Sequence, residues 1–274
     1  MKKRVFELDF IRAIAAVLIV ITHFNARYMF IGTEEAYSKM VIGIDTFNIY
    51  IGALGVALFF IISGMALMMT YENGLSLKTF YQKRFWSIYP MFWIAYLAAF
   101  LHQFYCYRAI NQGIPKQNII FSVLGLDGYL LNCNVPVFYI LGEWFLGFII
   151  MFYILFPLLR WGVIKHPVVT AIITVGLYVL FNIWYPLEVP SEKSLFLFIR
   201  LPEIMFGMYF WRYIKKVNKR MILVSLAVIL ANTVLKPQYS SNVQTTYIGI
   251  AAFIILFGLG KYAEKVNFIS DAAE

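Results

Sequence analysis

Asp9, Arg12 and His23 lie within the first long apolar run of the chain, a poor place for ionisable groups. A charged side chain at mid-membrane costs at least about 2.5–3.5 kcal/mol on insertion scales, so it ordinarily faces a cavity or a partner. Arg12 and His23 are eleven residues apart. On a helix, that spacing puts both on one face, about 16 Å apart along the axis. Asp9, three residues before Arg12, is placed to pair with it. One stripe thus carries a cation near a membrane surface and an imidazole beyond mid-membrane, which fits a polar channel through a helix bundle. The plainer alternatives are snorkelling of Arg12 to headgroups and a helix–helix hydrogen bond for His23. Histidine is the one side chain whose ordinary pKa suits proton transfer near neutrality.

Further candidates follow along the chain. Phe59-Phe60-Ile61-Ile62-Ser63-Gly64 ends an apolar run with a Ser-Gly pair, which admits close approach of another backbone or of a ligand. Lys83-Arg84 precedes a cluster of aromatic residues, the pattern of a membrane interface, and Arg84 could hold a phosphate. Glu143 and Trp144 open another apolar run, and Arg200 and Glu203, at i,i+3, open a later one. A structural salt bridge is the alternative reading of that last pair. His102 and His166 read as surface residues. No Walker phosphate loop, dinucleotide fingerprint, HExxH or CxxC motif is present, and no metal site is expected. Cys106 and Cys133 fall on one side of the membrane in the topology below, where either a disulfide or two free thiols fits.

The elements that must position these residues are membrane helices. Of 274 residues, 62% are apolar, 19% aromatic and only 14% charged. Soluble domains hold about 45–50% apolar and about 25% charged residues. Disorder, coiled coil and a soluble globule are therefore excluded. The net charge of +9 comes from cations scattered between apolar runs, which argues against nucleic acid and for anionic headgroups. A span needs about 20 apolar residues. Eight windows qualify, near 8–28, 50–70, 87–106, 138–160, 168–185, 194–212, 221–236 and 245–260. The first is a retained span rather than a signal peptide, because no small-residue cleavage site follows it. Fifteen Lys and Arg residues fall in the segments on the N-terminal side of the membrane and six on the other, with Arg12 and Arg200 inside spans. This split predicts a cytoplasmic N-terminus. The stretch 117–131, broken by Gly125 and Gly128, reads as interfacial or re-entrant. The expected fold is an all-α polytopic bundle forming a single domain over residues 1–274.

The pattern resembles the bacterial integral-membrane acyltransferase 3 family. The residues that carry the resemblance are Leu8-Asp9-Phe10-Ile11-Arg12-Ala13 leading to His23, Phe59 to Gly64, Lys83-Arg84 leading to Ile88-Tyr89-Pro90, and Trp144-Phe145-Leu146 leading to Phe152-Tyr153-Ile154-Leu155-Phe156-Pro157. It runs over most of the chain and is densest in residues 5–160. Two features depart from the family pattern: Ser87 stands where members often have Arg before Ile-Tyr-Pro, and members usually continue past the equivalent of Glu274. The chain is accordingly expected to lack the family's last one or two helices.

The resemblance implies a multi-pass enzyme of the bacterial plasma membrane. It implies transfer of an acyl group, often acetyl, from cytoplasmic acyl-CoA to a hydroxyl of an extracytoplasmic glycan or lipid-linked sugar. Arg12 and His23 would be the catalytic pair, with Arg12, Arg84, Ser63 and Gly64 on the donor. Glu143, Trp144, Arg200 and Glu203 would contact the acceptor. A transporter or flippase for a polar or glycan substrate is the alternative, since intramembrane Arg, His and Glu suit it on physical grounds. It would be supported by inverted repeats, of which the sequence shows none. A non-catalytic scaffold is disfavoured by the intramembrane charges.

Overall fold

In hydrocarbon no water is available to satisfy backbone N–H and C=O groups, so a spanning segment must bond them internally. Helices dominate accordingly. The computed structural model describes residues 5–42, 45–108, 113–131, 133–138, 140–141, 144–184 and 196–271. Each of the eight apolar windows holds a helix: α1 (Phe6–Ile31), α3 (Ile51–Tyr71), α4 (Leu77–Tyr107), α7 (Trp144–Lys165), α8 (Pro167–Trp184), α9 (Leu197–Tyr209), α10 (Lys219–Leu235) and α11 (Ser241–Asp271). Short helices α2 (Glu34–Tyr37), α5 (Ile119–Val123) and α6 (Asp127–Leu131) lie in the connections. Among the described residues, four helical segments are long and apolar enough to cross a membrane: Ile51–Tyr71, Leu77–Tyr107, Trp144–Lys165 and Ser241–Ala263.

The chain forms two compact units. The first comprises Met1–Thr70 and Pro202–Glu274. Its core joins Leu8 and Ile11 of α1, Leu58, Ile61 and Met65 of α3, and Phe253 of α11, all buried. Glycines set the helix separations. A Cβ added to Gly64 would lie 2.1 Å from the Ile204 carbonyl oxygen, and one added to Gly207 would lie 2.0 Å from that of Ile61. The backbones of α3 and α9 therefore touch, a separation that only glycine permits. At Gly52 an added Cβ would lie 2.7 Å from Thr22 Cγ2, so α3 also sits tightly on α1.

Ahead of α3, two short strands form a hairpin, β1 (Asp45–Thr46) and β2 (Ile49–Tyr50), paired antiparallel with Thr46 opposite Ile49. Its two loop residues, Phe47 and Asn48, have φ of 62° and 59°, the signature of a type I′ turn. The tip is held by side-chain amides. Asn232 Nδ2 donates to the Phe47 carbonyl at 2.7 Å, and Asn48 Nδ2 donates to Gln244 Oε1 at 2.8 Å. Gln244 Nε2 in turn donates to the carbonyls of Pro237 and Tyr239.

The second unit is Tyr71–Leu201. Helix α4 starts earlier than its apolar window because Ser76 caps it, accepting from the Thr79 N–H. Lys83 and Arg84 are thus two turns inside a helix rather than before one. Tyr71, Phe80 and Phe156 form an aromatic cluster, with ring centroids 5.2 Å apart for Tyr71–Phe80 and 5.3 Å for Phe80–Phe156. Beside it, Arg160 donates from Nε to the Tyr71 carbonyl at 2.6 Å and from Nη2 to that of Glu72 at 2.9 Å. These carbonyls end α3, and a helix end has no intrahelical donors left for them. The stretch 117–131 forms α5 and α6 with the 3-10 turn Lys116–Asn118, and no span. Gly125, at φ +71°, makes the bend between them, whereas Gly128 lies inside α6. Both cysteines are free and exposed, so of the two readings the structure takes the one without a disulfide.

The α3–α9 contact yields a stability expectation. Gly64→Ala forces two backbones apart and should cost about 1–3 kcal/mol, the usual range for overpacking. At Gly176, within α8, an added Cβ would meet nothing within 4 Å. Gly176→Ala should therefore be neutral or stabilising by up to about 1 kcal/mol. Unfolding in detergent, followed by circular dichroism, compares the two. Equal effects would remove the close-approach account.

Candidate active site

Helix α1 divides into two faces. Leu8, Ile11, Ala15 and Asn25 are buried. Arg12, Ala16, Val20, His23 and Arg27 are exposed, and their spacing makes them one stripe. Arg12 Nη1 donates to Asp9 Oδ1, the i,i+3 pair that the spacing predicts. Relative to Ala15, which is fully buried, Arg12 and His23 lie roughly 60–80° around the helix axis. They border the packed face without being consumed by it.

The turns around His23 are anchored by their polar neighbours. Thr22 Oγ1 donates back to the Leu18 carbonyl at 2.8 Å. Asn25 forms a two-way bond with the backbone of Val41: its Nδ2 donates to the carbonyl at 2.8 Å, and its Oδ1 accepts from the N–H at 2.9 Å. This fixes the segment after α2 against the end of α1. Asn25 was not singled out by its sequence context, because an asparagine in an apolar run gives no sign of where its partner lies.

Ser63 and Gly64 separate in role. They are consecutive, so they point about 100° apart. Ser63 is half-buried on the stripe of Gly52 and Phe59, which faces α1. Gly64 faces α9, and the backbone of Ile204 fills the space a ligand would need. The close approach at this glycine is therefore a helix crossing.

In the second unit, Arg84 lies between two rings. Its guanidinium carbon is 5.6 Å from the Phe80 centroid and 5.2 Å from that of Tyr153. Arginine favours such aromatic sandwiches because its planar cation is weakly hydrated. Arg84 Nε is buried and makes no hydrogen bond. The residue borders a cavity of about 240 Å³ whose walls include Tyr81, Phe85, Tyr89 and Tyr153. A buried donor without an acceptor is costly, so the site is suited to an anionic or carbonyl oxygen. Lys83 and Ser87 on the same helix are exposed.

The remaining candidates are dispersed. Trp144 is half-buried, with its ring 5.7 Å from that of Phe145. Glu143 lies outside the described residues. Arg200 and Glu203 on α9 are both buried, at 3% and 0% exposure. Thr246 Oγ1 of α11 lies 3.5 Å from Glu203 Oε1. Among the described residues no cluster of His, Cys, Asp and Glu could hold a metal ion.

The family model described as an acyltransferase domain matches residues 5–267, nearly the whole chain. The chain belongs to the acyltransferase 3 family. No curated protein and no solved structure matches it. The match extends over α1 with its Arg12–His23 stripe, over α4 with Arg84, and into α11. This membrane acyltransferase therefore presents two sets of unspent polar chemistry: an exposed Arg–His stripe in one unit, and an arginine with a spare donor in the other.

Proposed function

We propose that the protein is an O-acyltransferase, moving an acyl group, in the first instance acetyl, from cytoplasmic acyl-CoA to a hydroxyl of an extracytoplasmic glycan or lipid-linked sugar. The observation that carries the reading is the stripe on α1, where Arg12 and His23 share one face and neither is used in packing. Arg84, in the second unit, binds a phosphate of the donor on the cytoplasmic side, and Arg12, in the first, is the other arginine assigned to the donor. At Arg84 the phosphate takes the spare Nε donor, and Tyr153 and Phe80 hold the guanidinium in plane.

His23 acts as general base. It removes the acceptor hydroxyl proton while the oxygen attacks the thioester carbonyl carbon. The tetrahedral intermediate collapses with cleavage of the C–S bond, and the imidazolium returns the proton to the CoA thiolate. Ser63, on the side of α3 that faces α1, orients the thioester. Gly64 serves by letting α9 approach rather than by touching the donor. Glu143 and Trp144 recognise the acceptor, with Arg200 and Glu203, both buried in α9, acting behind the surface that touches it. The eight helices span the plasma membrane with the N-terminus in the cytoplasm, which puts His23 on the acceptor side of the bilayer and Arg84 on the donor side.

Topology is tested by introducing cysteine at Lys216 and at Tyr239, both exposed, into a chain lacking Cys106 and Cys133. They should label from opposite sides of the membrane. Labelling from one side would break the orientation.

Donor docking is tested by Arg84→Ala, which should weaken apparent affinity for acyl-CoA more than turnover, because contacts to a remote phosphate act mainly in the ground state. Loss of turnover at unchanged affinity would move Arg84 away from the donor.

His23→Ala should lower acyl transfer by about 10²–10⁴, the ordinary worth of acid–base catalysis, with membrane insertion unchanged. His23→Gln keeps a hydrogen-bonding group but cannot take up a proton near neutrality. It should be as impaired as the alanine variant. Substantial transfer by His23→Gln, measured as CoA thiol release with acceptor present, would return His23 to a packing role.

A further inference from the structure

The loop between α10 and α11, Lys236-Pro237-Gln238-Tyr239-Ser240, is short and polar. Side-chain amides hold its backbone. The Pro237 carbonyl accepts from Asn48 Nδ2 at 3.3 Å and from Gln244 Nε2 at 3.0 Å. The Tyr239 carbonyl accepts from the same Gln244 amide at 2.9 Å, and that of Lys236 accepts from Gln238 Nε2 at 3.0 Å. A loop tied at three of its carbonyls presents its side chains in place, without an ordering cost when a ligand arrives.

Tyr239 stands on this loop with 53% of its surface exposed. A tyrosine at a membrane surface ordinarily turns its hydroxyl outward, to water and headgroups. Tyr239 does the reverse. Its Oη lies 2.8 Å from Tyr247 Oη on α11, and Tyr247 Oη donates to Asn232 Oδ1 on α10. The Tyr247 proton is thereby spent, so Tyr239 is the donor between the two phenols. Tyr247 is half-buried and Asn232 is buried, and Asn232 is itself held by the Phe47 carbonyl at the hairpin tip. The polar tip of Tyr239 is thus used within the bundle, and what it shows to its surroundings is the ring. Gln238, Ser240 and Ser241 beside it are exposed, and among the described residues Gln238 Oε1 has no partner.

A fixed, exposed ring flanked by an amide and hydroxyls is suited to a sugar. The negative face of an aromatic ring attracts polarised C–H groups. A pyranose with equatorial hydroxyls offers a face made of C–H bonds alone, and its hydroxyls reach outward to a polar rim. The place also fits. The loop is tied through Asn48 to the hairpin that leads into α3, and near the start of α3 a Cβ on Gly52 would lie 2.7 Å from Thr22, the neighbour of His23. Loop and histidine therefore share one half of the first unit.

We propose that Tyr239 is the floor of a glycan subsite, on which one uncharged pyranose of the acceptor stacks while Gln238 Oε1 accepts from a sugar hydroxyl. The inference rests on the reading of the protein as an acyltransferase that acts on a glycan. The stacked sugar is a neighbour of the one that is acylated, and no bond in it changes.

The test uses the full chain in detergent micelles with cellohexaose, a β-linked glucose oligomer whose ring faces carry only C–H bonds. The parent should bind it saturably, as followed by saturation-transfer NMR. Tyr239→Ala should weaken binding about tenfold, the order of one aromatic contact, and Tyr239→Trp should keep it. Tyr239→Phe keeps the ring but frees it from Tyr247, and should fall between them. With cellohexaose as acceptor and CoA thiol release as the readout, Tyr239→Ala should raise KM for the sugar and leave KM for acyl-CoA unchanged. Binding that depends on Tyr239 in a chain that transfers no acyl group would support the subsite and count only against the acyl-transfer reading. An absence of binding by the parent, or equal binding by the parent and Tyr239→Ala, would overturn the proposal. So would a Tyr239→Ala chain that binds the sugar fully but leaves the membrane fraction, which would make the ring an interface anchor.

Discussion

A polar group within hydrocarbon finds no water, and much of this structure follows from how each such group is answered. The backbone answers itself by becoming helical. Side chains take two routes. The local route is a bond back to the preceding turn, used by Thr22, Thr174 and Thr233 toward the carbonyls of Leu18, Thr170 and Ile229. These bonds cost no architecture. The second route reaches across the chain: Asn25 to Val41, Asn232 to Phe47, and Arg160 to Tyr71. In each of these the acceptor is a carbonyl where regular structure ends. The long-range polar side chains thus satisfy themselves and the irregular backbone in one contact, and so fix the hairpin and the turns between spans.

The same solvent weakens the force that packs soluble cores, because lipid tails are as apolar as leucine. Dispersion contact must do more of the work, and its yield depends on how near two helices come. The glycines at positions 52, 64 and 207 allow backbone-level contact of α3 with α1 and α9. That contact restricts where function can reside. Helix α3 is buried over 78% of its apolar window and has little surface to offer a substrate. Helix α1, packed along one side within its unit, retains an exposed stripe.

The places of the main helices were legible, since each apolar window holds a helix, whereas among the described residues four of these helical segments are long and apolar enough to cross a membrane. The pairing of Asp9 with Arg12 and the common face of Arg12 and His23 were legible for a local reason: helical geometry relates residues a few turns apart. Features that depend on distant partners were not. Gly64 reads equally as a ligand cradle or a crossing point until Ile204, far along the chain, is brought beside it. The start of α4 was misplaced because basic and aromatic residues after Ser76 look like an interface, although a serine cap and good helix formers extend the helix through them. Arg160 was counted only as a topological charge. Nothing in the sequence around Glu203 showed that it would be fully buried with Thr246 of α11, far along the chain, 3.5 Å away.

Three arginines show why residue type alone could not separate structure from function. Arg160 spends its fork on two backbone carbonyls, so its loss would leave helix-end acceptors bare and its role is architectural. Arg12 is exposed and shares its charge with Asp9, an arrangement that holds its position while leaving other donors of the guanidinium facing outward. Arg84 has its planar faces covered by Phe80 and Tyr153 and one buried donor unmet. A folded chain rarely leaves such a donor unmet without cause, since satisfying it with a neighbouring carbonyl would have stabilised the structure. The unmet donor beside a cavity is the feature that separates Arg84 from Arg160, whose fork is spent on backbone carbonyls. In this chain it falls on the arginine that precedes Ile88-Tyr89-Pro90, within the segment matched to the acyltransferase family.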